Sequence, residues 1–346
     1  MSRESRQKAQ GFVSAQQVAE LAGVSRSAVS RAFTPGASIA PETRDKVMEA
    51  AAALGYQVND LARGLLANRS RLVGLVTTKP EVGFRAHLVA ALSRALIRRG
   101  NIPFLINTGS SEQELKAAQT ALFGYRAEAT IILSGSPPAS FVELARQNGQ
   151  PLVMLGRSET GCDHIRIDNA GAAESAARYF SRAGFTRLGL AGSESATPSI
   201  IERERVFTET ARSLGCSVMV ARGRDSDYAG GQRAAMSLLS GTERPQAIFC
   251  VNDLIALGLL DFARSTAGLR IPAELSVIGF DDIPEASWDS YRLTTFRQDP
   301  EEMARQAILQ MERRLENPQL PPSVVQLDAV FVTRDSAVCE PSHEYQ

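Results

Sequence analysis

The sequence predicts an α/β protein, with a small all-α helix-turn-helix head followed by a body of two doubly wound parallel-sheet lobes. Three observations carry that expectation. Across residues 13–58, short helical patterns are cut by glycines and capped by serines. From Leu72 onward, continuous apolar runs alternate with helical patterns, as in parallel sheets covered on both faces. At 346 residues the chain exceeds what one core usually organises, and the alternating elements are too many for a single small sheet.

The head reads element by element. Ser14 precedes the stretch Ala15–Ala22, and Gln17 three residues later fits a capping box. Gly23 ends this helix after two turns. Ser25 caps a second helix, Arg26 to about Phe33. Val18, Leu21, Val24, Val29 and Phe33 are spaced so that both helices share one apolar contact across a tight turn. Thr34, Pro35 and Gly36 form a loop, and Pro41 suits the first position of a third helix, Glu42 to Leu54, which Gly55 terminates. Two short helices joined at a glycine and braced by a third make a helix-turn-helix. The second helix of such a unit fits the major groove with its N-terminal residues towards base edges. Here these are Arg26 and Ser27, with Ser30 and Arg31 one turn further on; Ser14, Ser25 and Thr34 complete the candidate DNA-binding set in the head. A solvated outer face explains the same polar residues equally well, and periodicity alone leaves both readings open.

In the body, strands are expected at 72–76, 102–106, 129–133, 152–155, 187–191, 217–220, 247–250 and 275–279. Helices are expected at 88–99, 112–123, 139–148, 170–183, 200–214, 227–239 and 253–266. Doubly wound folds bind ligands beyond the carboxyl ends of their strands.

Composition narrows the classes. With 44% hydrophobic and 22% charged residues the chain has the make-up of a globular protein able to bury a core. No apolar run approaches the roughly 20 residues that span a bilayer, and the N-terminus has no apolar stretch behind its charges, so no secretory signal is expected. Cys162, Cys216, Cys250 and Cys339 form no CxxC pair, and His87, His164 and His343 are scattered. Free thiols in a reducing cytoplasm are therefore expected, with neither metal nor cofactor. Net charge is zero overall, yet residues 1–71 carry ten Lys and Arg against six Asp and Glu. A basic head on an acidic body suits a phosphate-binding module, although so small a surplus also arises by chance. GxGxxG, GxxxxGK[ST], GxSxG and HExxH are all absent. The pair Asp281–Asp282 directly follows an expected strand and has three open readings: acid–base work, ligand binding or capping. No nucleophile, metal or phosphate motif supports an enzyme.

The run VAELAGVSRSAVSR from Val18 to Arg31 resembles the helix-turn-helix signature of the LacI/GalR family of transcriptional repressors. Pro41–Val47 (PETRDKV), Leu54–Tyr56 (LGY), Asn252–Gly258 (NDLIALG) and Val277–Ile283 (VIGFDDI) match further family motifs, as do Leu293–Thr295, Gln298 and Arg334–Ser336. The resemblance covers residues 13–337. It implies a disordered tail (1–12), a DNA-binding domain (13–58), a hinge (59–71) and a dimerising effector domain (72–346) similar to periplasmic sugar-binding proteins. Lobe one would comprise about 72–168 and 297–326, and lobe two about 169–296 and 327–340, with crossovers near 168, 296 and 327. The hinge would fold on operator DNA and wedge a leucine into the minor groove. Asn59, Ala62 and Leu65 occupy the matching positions, and Leu65 is the candidate wedge, with packing of Leu65 or Leu66 under the core as the plainer alternative. Gly64 weakens that helix, and Val58 stands where a proline is usual.

Carried over to the effector site, the resemblance implicates Phe84, Arg85, Arg157, Arg203, Asn252 and Asp281. Arg203 also has a bland reading as a surface ion pair within Glu202–Arg205. Gly156 stands where many members have an aspartate, and Arg85 where a second aromatic is frequent. Losing an acceptor and gaining a cation shifts the expected effector towards an anionic sugar derivative. The functional expectation is a cytoplasmic, nucleoid-associated homodimeric repressor on a palindromic operator. A transport component is the alternative for the body alone.

Overall fold

The computed structural model describes residues 12–34, 36–58, 70–108, 111–133, 139–156, 161–195 and 197–338. The expected tail apart from Phe12, the hinge candidates Asn59, Ala62 and Leu65, and the effector candidate Arg157 lie outside these residues. The chain divides into two compact units, residues 1–70 and 71–346.

In the head, α1 (Ala15–Ala22), α2 (Arg26–Ala32) and α3 (Pro41–Leu54) form where the punctuation expects them. The Ser14 hydroxyl accepts from the Gln17 N–H at 3.3 Å while the Gln17 carboxamide oxygen accepts from the Ser14 N–H at 2.8 Å. Gly23 turns the chain in the left-handed region (φ 64°), and Ser25 accepts from Ala28 N–H at 3.2 Å. Val18, Val29 and Val47 sit at the centre, each at most 1% exposed. Arg44 on α3 donates to Ala32 O at 2.8 Å, closing the end of α2. One expectation fails: Leu21 is 56% exposed. The core face of α1 is set by Ala15, Val18, Ala19 and Ala22, and Leu21 lies roughly 110° round the axis from its centre at 3.6 residues per turn.

The body contains two all-parallel sheets. The first has six strands, β1 (Leu72–Thr77), β2 (Ile102–Asn107), β3 (Ala129–Ile132), β4 (Leu152–Leu155), β5 (Asp163–Ile167) and β11 (Val324–Leu327), in the order β11-β5-β4-β3-β1-β2. The second has four, β6 (Arg187–Ser193), β7 (Ser217–Gly223), β8 (Ala247–Cys250) and β9 (Ser276–Ile278), in the order β7-β6-β8-β9. Both orders reverse direction beside their first strand, between β1 and β3 and between β6 and β8, the topological switch points of doubly wound sheets. The first sheet is covered on both faces. Val73 and Leu75 enter one apolar core and Val76 the other, which is why β1 reads as an unbroken apolar run.

Helices α4 (Phe84–Arg99), α5 (Glu112–Gly124), α6 (Ala139–Gln147) and α11 (Pro300–Glu316) belong with the first sheet by sequence and packing; α7 (Asn169–Arg182), α8 (Pro198–Ser213), α9 (Tyr228–Leu239) and α10 (Asp253–Ser265) belong with the second. The chain passes between the lobes at Asp168, between β10 (Thr295–Arg297) and α11, and between β11 and β12 (Val330–Val332). The two short strands β10 and β12 pair antiparallel, with Phe296 opposite Phe331. Ion pairs Arg94–Glu301 and Arg99–Glu312 tie α4 to α11.

The structure departs from the expected elements in several places, and β10, β11 and β12 were not expected at all. The helix expected from Leu88 starts at Phe84, because Gly83 (φ 56°) breaks the chain just before it. The helix expected from 200 starts at Pro198, a residue suited to a first turn. β5 has no counterpart in the expected pattern, since His164 and Arg166 interrupt its apolar run. His164 is nevertheless buried at 1% exposure. Among the described residues no helix is long and apolar enough to cross a membrane, no His, Cys, Asp and Glu group could hold a metal, and Cys162, Cys216 and Cys250 are buried.

Candidate functional site

A cleft of about 310 Å³ opens where the carboxyl ends of the two sheets face one another. Its walls come from the residues just past the strands: Thr78 and Lys79 after β1, Leu133 after β3, Gly156 after β4, Asp225 after β7 and Asn252 after β8. The first turn of α4 adds Phe84 and Arg85, and α8 adds Arg203. Loop residues at a switch point, carried on a rigid scaffold, form an arrangement that suits ligand binding.

Arg203 is the most constrained group. Its side chain is 5% exposed, Nε donates to Asn169 Oδ1 at 2.8 Å, and Nη1 donates to Val251 O at 2.6 Å. The guanidinium lies 3.4 Å from the Phe280 ring centroid. Nη2 has no protein partner among the described residues. Burial lowers the guanidinium pKa to about 10 against the attraction of Asp281, Asp253 and Glu202. The surface ion-pair reading of Arg203 therefore fails. Its neighbours in the run divide the other way: Arg205 pairs with Glu209 at the surface, whereas Glu204 is buried and pairs with Arg222.

Asp281 faces Arg203 across the cleft floor. It adopts φ 128°, a region unfavourable to residues with a Cβ, of the kind that clusters at ligand sites. Its Oδ1 accepts from Gln298 Nε2 at 2.6 Å. Burial pushes the Asp281 carboxyl up to about 6, opposed by Arg203, Gln298 and Arg85. The adjacent Asp282 does different work, accepting from Arg297 and Arg334, each at 2.6 Å. Behind them Asp253 is fully buried, accepting from Thr295 Oγ1 at 2.6 Å and Ile283 N–H at 3.0 Å, and burial followed by Asp281 raises its pKa.

Asn252 lines the cleft but its carboxamide is engaged: Oδ1 caps α10 at Ile255 N–H (2.9 Å) and Nδ2 donates to Ser226 O (2.9 Å). Arg85 is half-buried and donates through Nη1 to Thr78 O at 2.7 Å. It forms no ion pair among the described residues. Burial lowers its pKa against Asp225, Asp281 and Glu81. Nothing lies within 4 Å of where a Cβ would stand on Gly156. Asn169, Lys79 and Asp225 escape sequence reasoning, and Gln298 enters it only as a motif residue with no site role, although for Lys79 its place just after a strand was an available signal.

On the head, Ser14, Ser25, Arg26, Ser27, Ser30, Arg31 and Thr34 are all exposed. Thr34 Oγ1 donates back to Ser30 O at 2.8 Å, and the Ser25 and Ser27 hydroxyls lie 2.8 Å apart. Neither Arg26 nor Arg31 has a hydrogen-bond or ion-pair partner among the described residues. Two unpaired guanidinium groups on one exposed short helix are available to phosphates and base edges.

A helix-turn-helix head and a two-lobed body with a polar cleft define a ligand-responsive DNA-binding protein. Residues 15–59 match the model of bacterial regulatory proteins of the lacI family, and residues 177–337 match that of the periplasmic binding protein-like domain. The ribose operon repressor of Escherichia coli K12 is 30% identical over 325 residues, covering 92% of this chain and 98% of its own length. The HTH-type transcriptional repressor PurR of Photorhabdus laumondii is 26% identical over 336 residues, 95% and 98% of the two chains. Among solved structures, the lac repressor dimer bound to operator and the anti-inducer ONPF aligns with a TM-score of 0.85 at 24% identity, over 95% of this chain and 100% of that one. A complex of the transcriptional regulator CelR with cellobiose aligns at 0.70 and 26% identity, over 94% and 100%. The chain belongs to the LacI family: it is a DNA-binding transcriptional regulator, of a family of regulators rather than enzymes.

Proposed function

We propose that this protein is a homodimeric repressor acting on DNA in the cytoplasm, whose grip on a roughly palindromic operator is set by a small acidic sugar derivative held between its lobes. The cleft volume, about 310 Å³, lies at the small end of the ~300–1,000 Å³ range of ligand pockets and suits one sugar ring. The observation that carries the charge assignment is Arg85: a half-buried guanidinium at the cleft wall whose only protein hydrogen bonds among the described residues go to Thr78. A cation held away from water favours an anionic partner. Gly156 leaves open space where an acidic side chain would compete for it.

Arg203 and Asp281 take the ring hydroxyls, Phe84 covers an apolar face, and Asn252 shapes the wall. Arg157 joins the set by family pattern. In the head, Arg26 and Ser27 read bases while Ser14, Ser25, Ser30, Arg31 and Thr34 support them along the groove. Leu65, with Asn59 and Ala62, is the proposed minor-groove wedge. Calorimetric titration with gluconate, ribose 5-phosphate, glucose and ribose tests the effector class. Each acid is expected to bind at least tenfold more tightly than its neutral counterpart, and Arg85→Met is expected to erase the difference. Equal affinity for acid and neutral sugars would overturn the charge assignment.

A further inference from the structure

The mouth of the cleft carries a charge pair that belongs to neither lobe alone. Lys79 stands two residues past β1 in the first lobe, and Asp225 two residues past β7 in the second. Lys79 Nζ forms an ion pair with Asp225 Oδ2. Both side chains keep contact with water, at 54% and 38% exposure. Asp225 Oδ1 accepts from the N–H of Ser226 at 2.9 Å. Lys79 is held in the left-handed region at φ 49°, and its carbonyl accepts from Val82 N–H at 3.2 Å. The turn that aims its ammonium is therefore locally fixed. Arg85 lies on the next turn of chain, tied only to Thr78, with Nε and Nη2 lacking protein partners among the described residues.

We propose that Lys79 and Arg85 form an anion-binding edge of the cleft, that Asp225 is its built-in counter-ion, and that the acidic group of the effector binds by exchanging with the Asp225 carboxylate. This rests on the reading of the cleft as an effector site and names the residues that set its charge preference. Asp225 feels Lys79 first and Arg85 as well, which keeps its carboxyl below the usual range. It is thus an ionised competitor at working pH. Among the described residues, the other carboxylates attracting Arg85 are Asp281, whose Oδ1 accepts from Gln298, and Glu81, which is exposed. A neutral sugar offers Lys79 nothing in return for the broken pair, whereas a carboxylate or phosphate replaces it like for like. Because Asp225 is already partly in water, it is released to solvent without uncovering a buried charge. The exchange therefore favours acids over neutral sugars and transfers a link between the lobes from protein to ligand.

The test uses full-length protein and inorganic phosphate as the probe, with affinity read by calorimetry at low salt. Asp225→Asn is expected to bind phosphate about tenfold more tightly than wild type, and Asp225→Glu to return to the wild-type value. Lys79→Gln is expected to bind at least tenfold more weakly than wild type, and to cancel the gain when combined with Asp225→Asn. An unchanged or weakened affinity in Asp225→Asn, a gain that survives loss of Lys79, or no phosphate binding in either wild type or Asp225→Asn would overturn the exchange. Failure of the effector reading is separately visible: phosphate would follow these variants while no sugar acid altered operator binding.

Discussion

Arg203 shows how much one residue in this cleft organises. It joins Asn169 at the start of α7, the carbonyl of Val251 past β8 and the ring of Phe280 past β9. Removing it leaves a buried acceptor on each side and Asp281 without its strongest opposing charge. Arg203→Met is expected to cost about 2–4 kcal/mol in urea unfolding, since stranding buried partners costs ~1–3 kcal/mol apiece. Arg203→Lys is expected to recover little, because a point charge does not reproduce the guanidinium fork. Asp281 gives a pH signature. Its folded carboxyl is raised to about 6 from 3.8, so folding takes up a proton between those values. The stability from that protonation is complete below 3.8 and lost as pH rises through about 6. The unfolding free energy of wild type relative to Asp281→Asn is expected to fall between about pH 4 and 7, measured by urea denaturation. A flat difference would show that Asp281 ionises normally.

At the scale of elements, the helix pair α9 and α10 depends on two glycines. A Cβ on Gly231 would stand 2.2 Å from Ile255 O, and one on Gly258 2.1 Å from Tyr228 O. Backbone atoms cannot yield as side chains do, so Gly231→Ala is expected to destabilise by about 3 kcal/mol or more, the upper end for overpacking, read as a fall in unfolding midpoint. In the head, Ser25→Ala removes the cap at Ala28 N–H and is expected to cost about 1 kcal/mol of helix stability, seen as weaker DNA binding. Elements were legible where one physical signal dominated. Capping serines opened α1 and α2, left-handed glycines closed α1 and α3, and unbroken apolar runs marked β1, β3, β4 and β8. Illegible elements mixed signals: β5 carries His164 and Arg166, and the short β10 and β12 have three residues each. In the site, Arg203, Asp281 and Phe84 were reachable through motif resemblance. Asn169 was not, because its role is to hold another side chain, and the Lys79–Asp225 pair was not, because 146 residues separate its members.

At the scale of the whole molecule, the proposed function couples effector binding in the body to operator binding by the head. Each lobe brings its own strand ends to the cleft, and Gly83 of the first lobe packs towards Leu254 of the second, where an added Cβ would stand 3.0 Å from Leu254 Cδ1. A ligand bound to both lobes biases their arrangement, and a coupling of about 1–3 kcal/mol changes operator affinity roughly 5–150-fold. Arg26→Ala is expected to relax base preference at one position of each half-site, with specificity falling by about 1–3 kcal/mol, as read from selected sequences. Unchanged preference would show that another residue of α2 reads the bases. The most direct test of the whole is operator affinity measured with and without sugar acids, on duplexes selected by the protein from random DNA. The account predicts a palindromic selected site whose affinity shifts at least fivefold with an acidic sugar derivative, and not with its neutral counterpart. A selected site whose affinity stays constant across the panel, with the same acids shown to occupy the cleft, would contradict it.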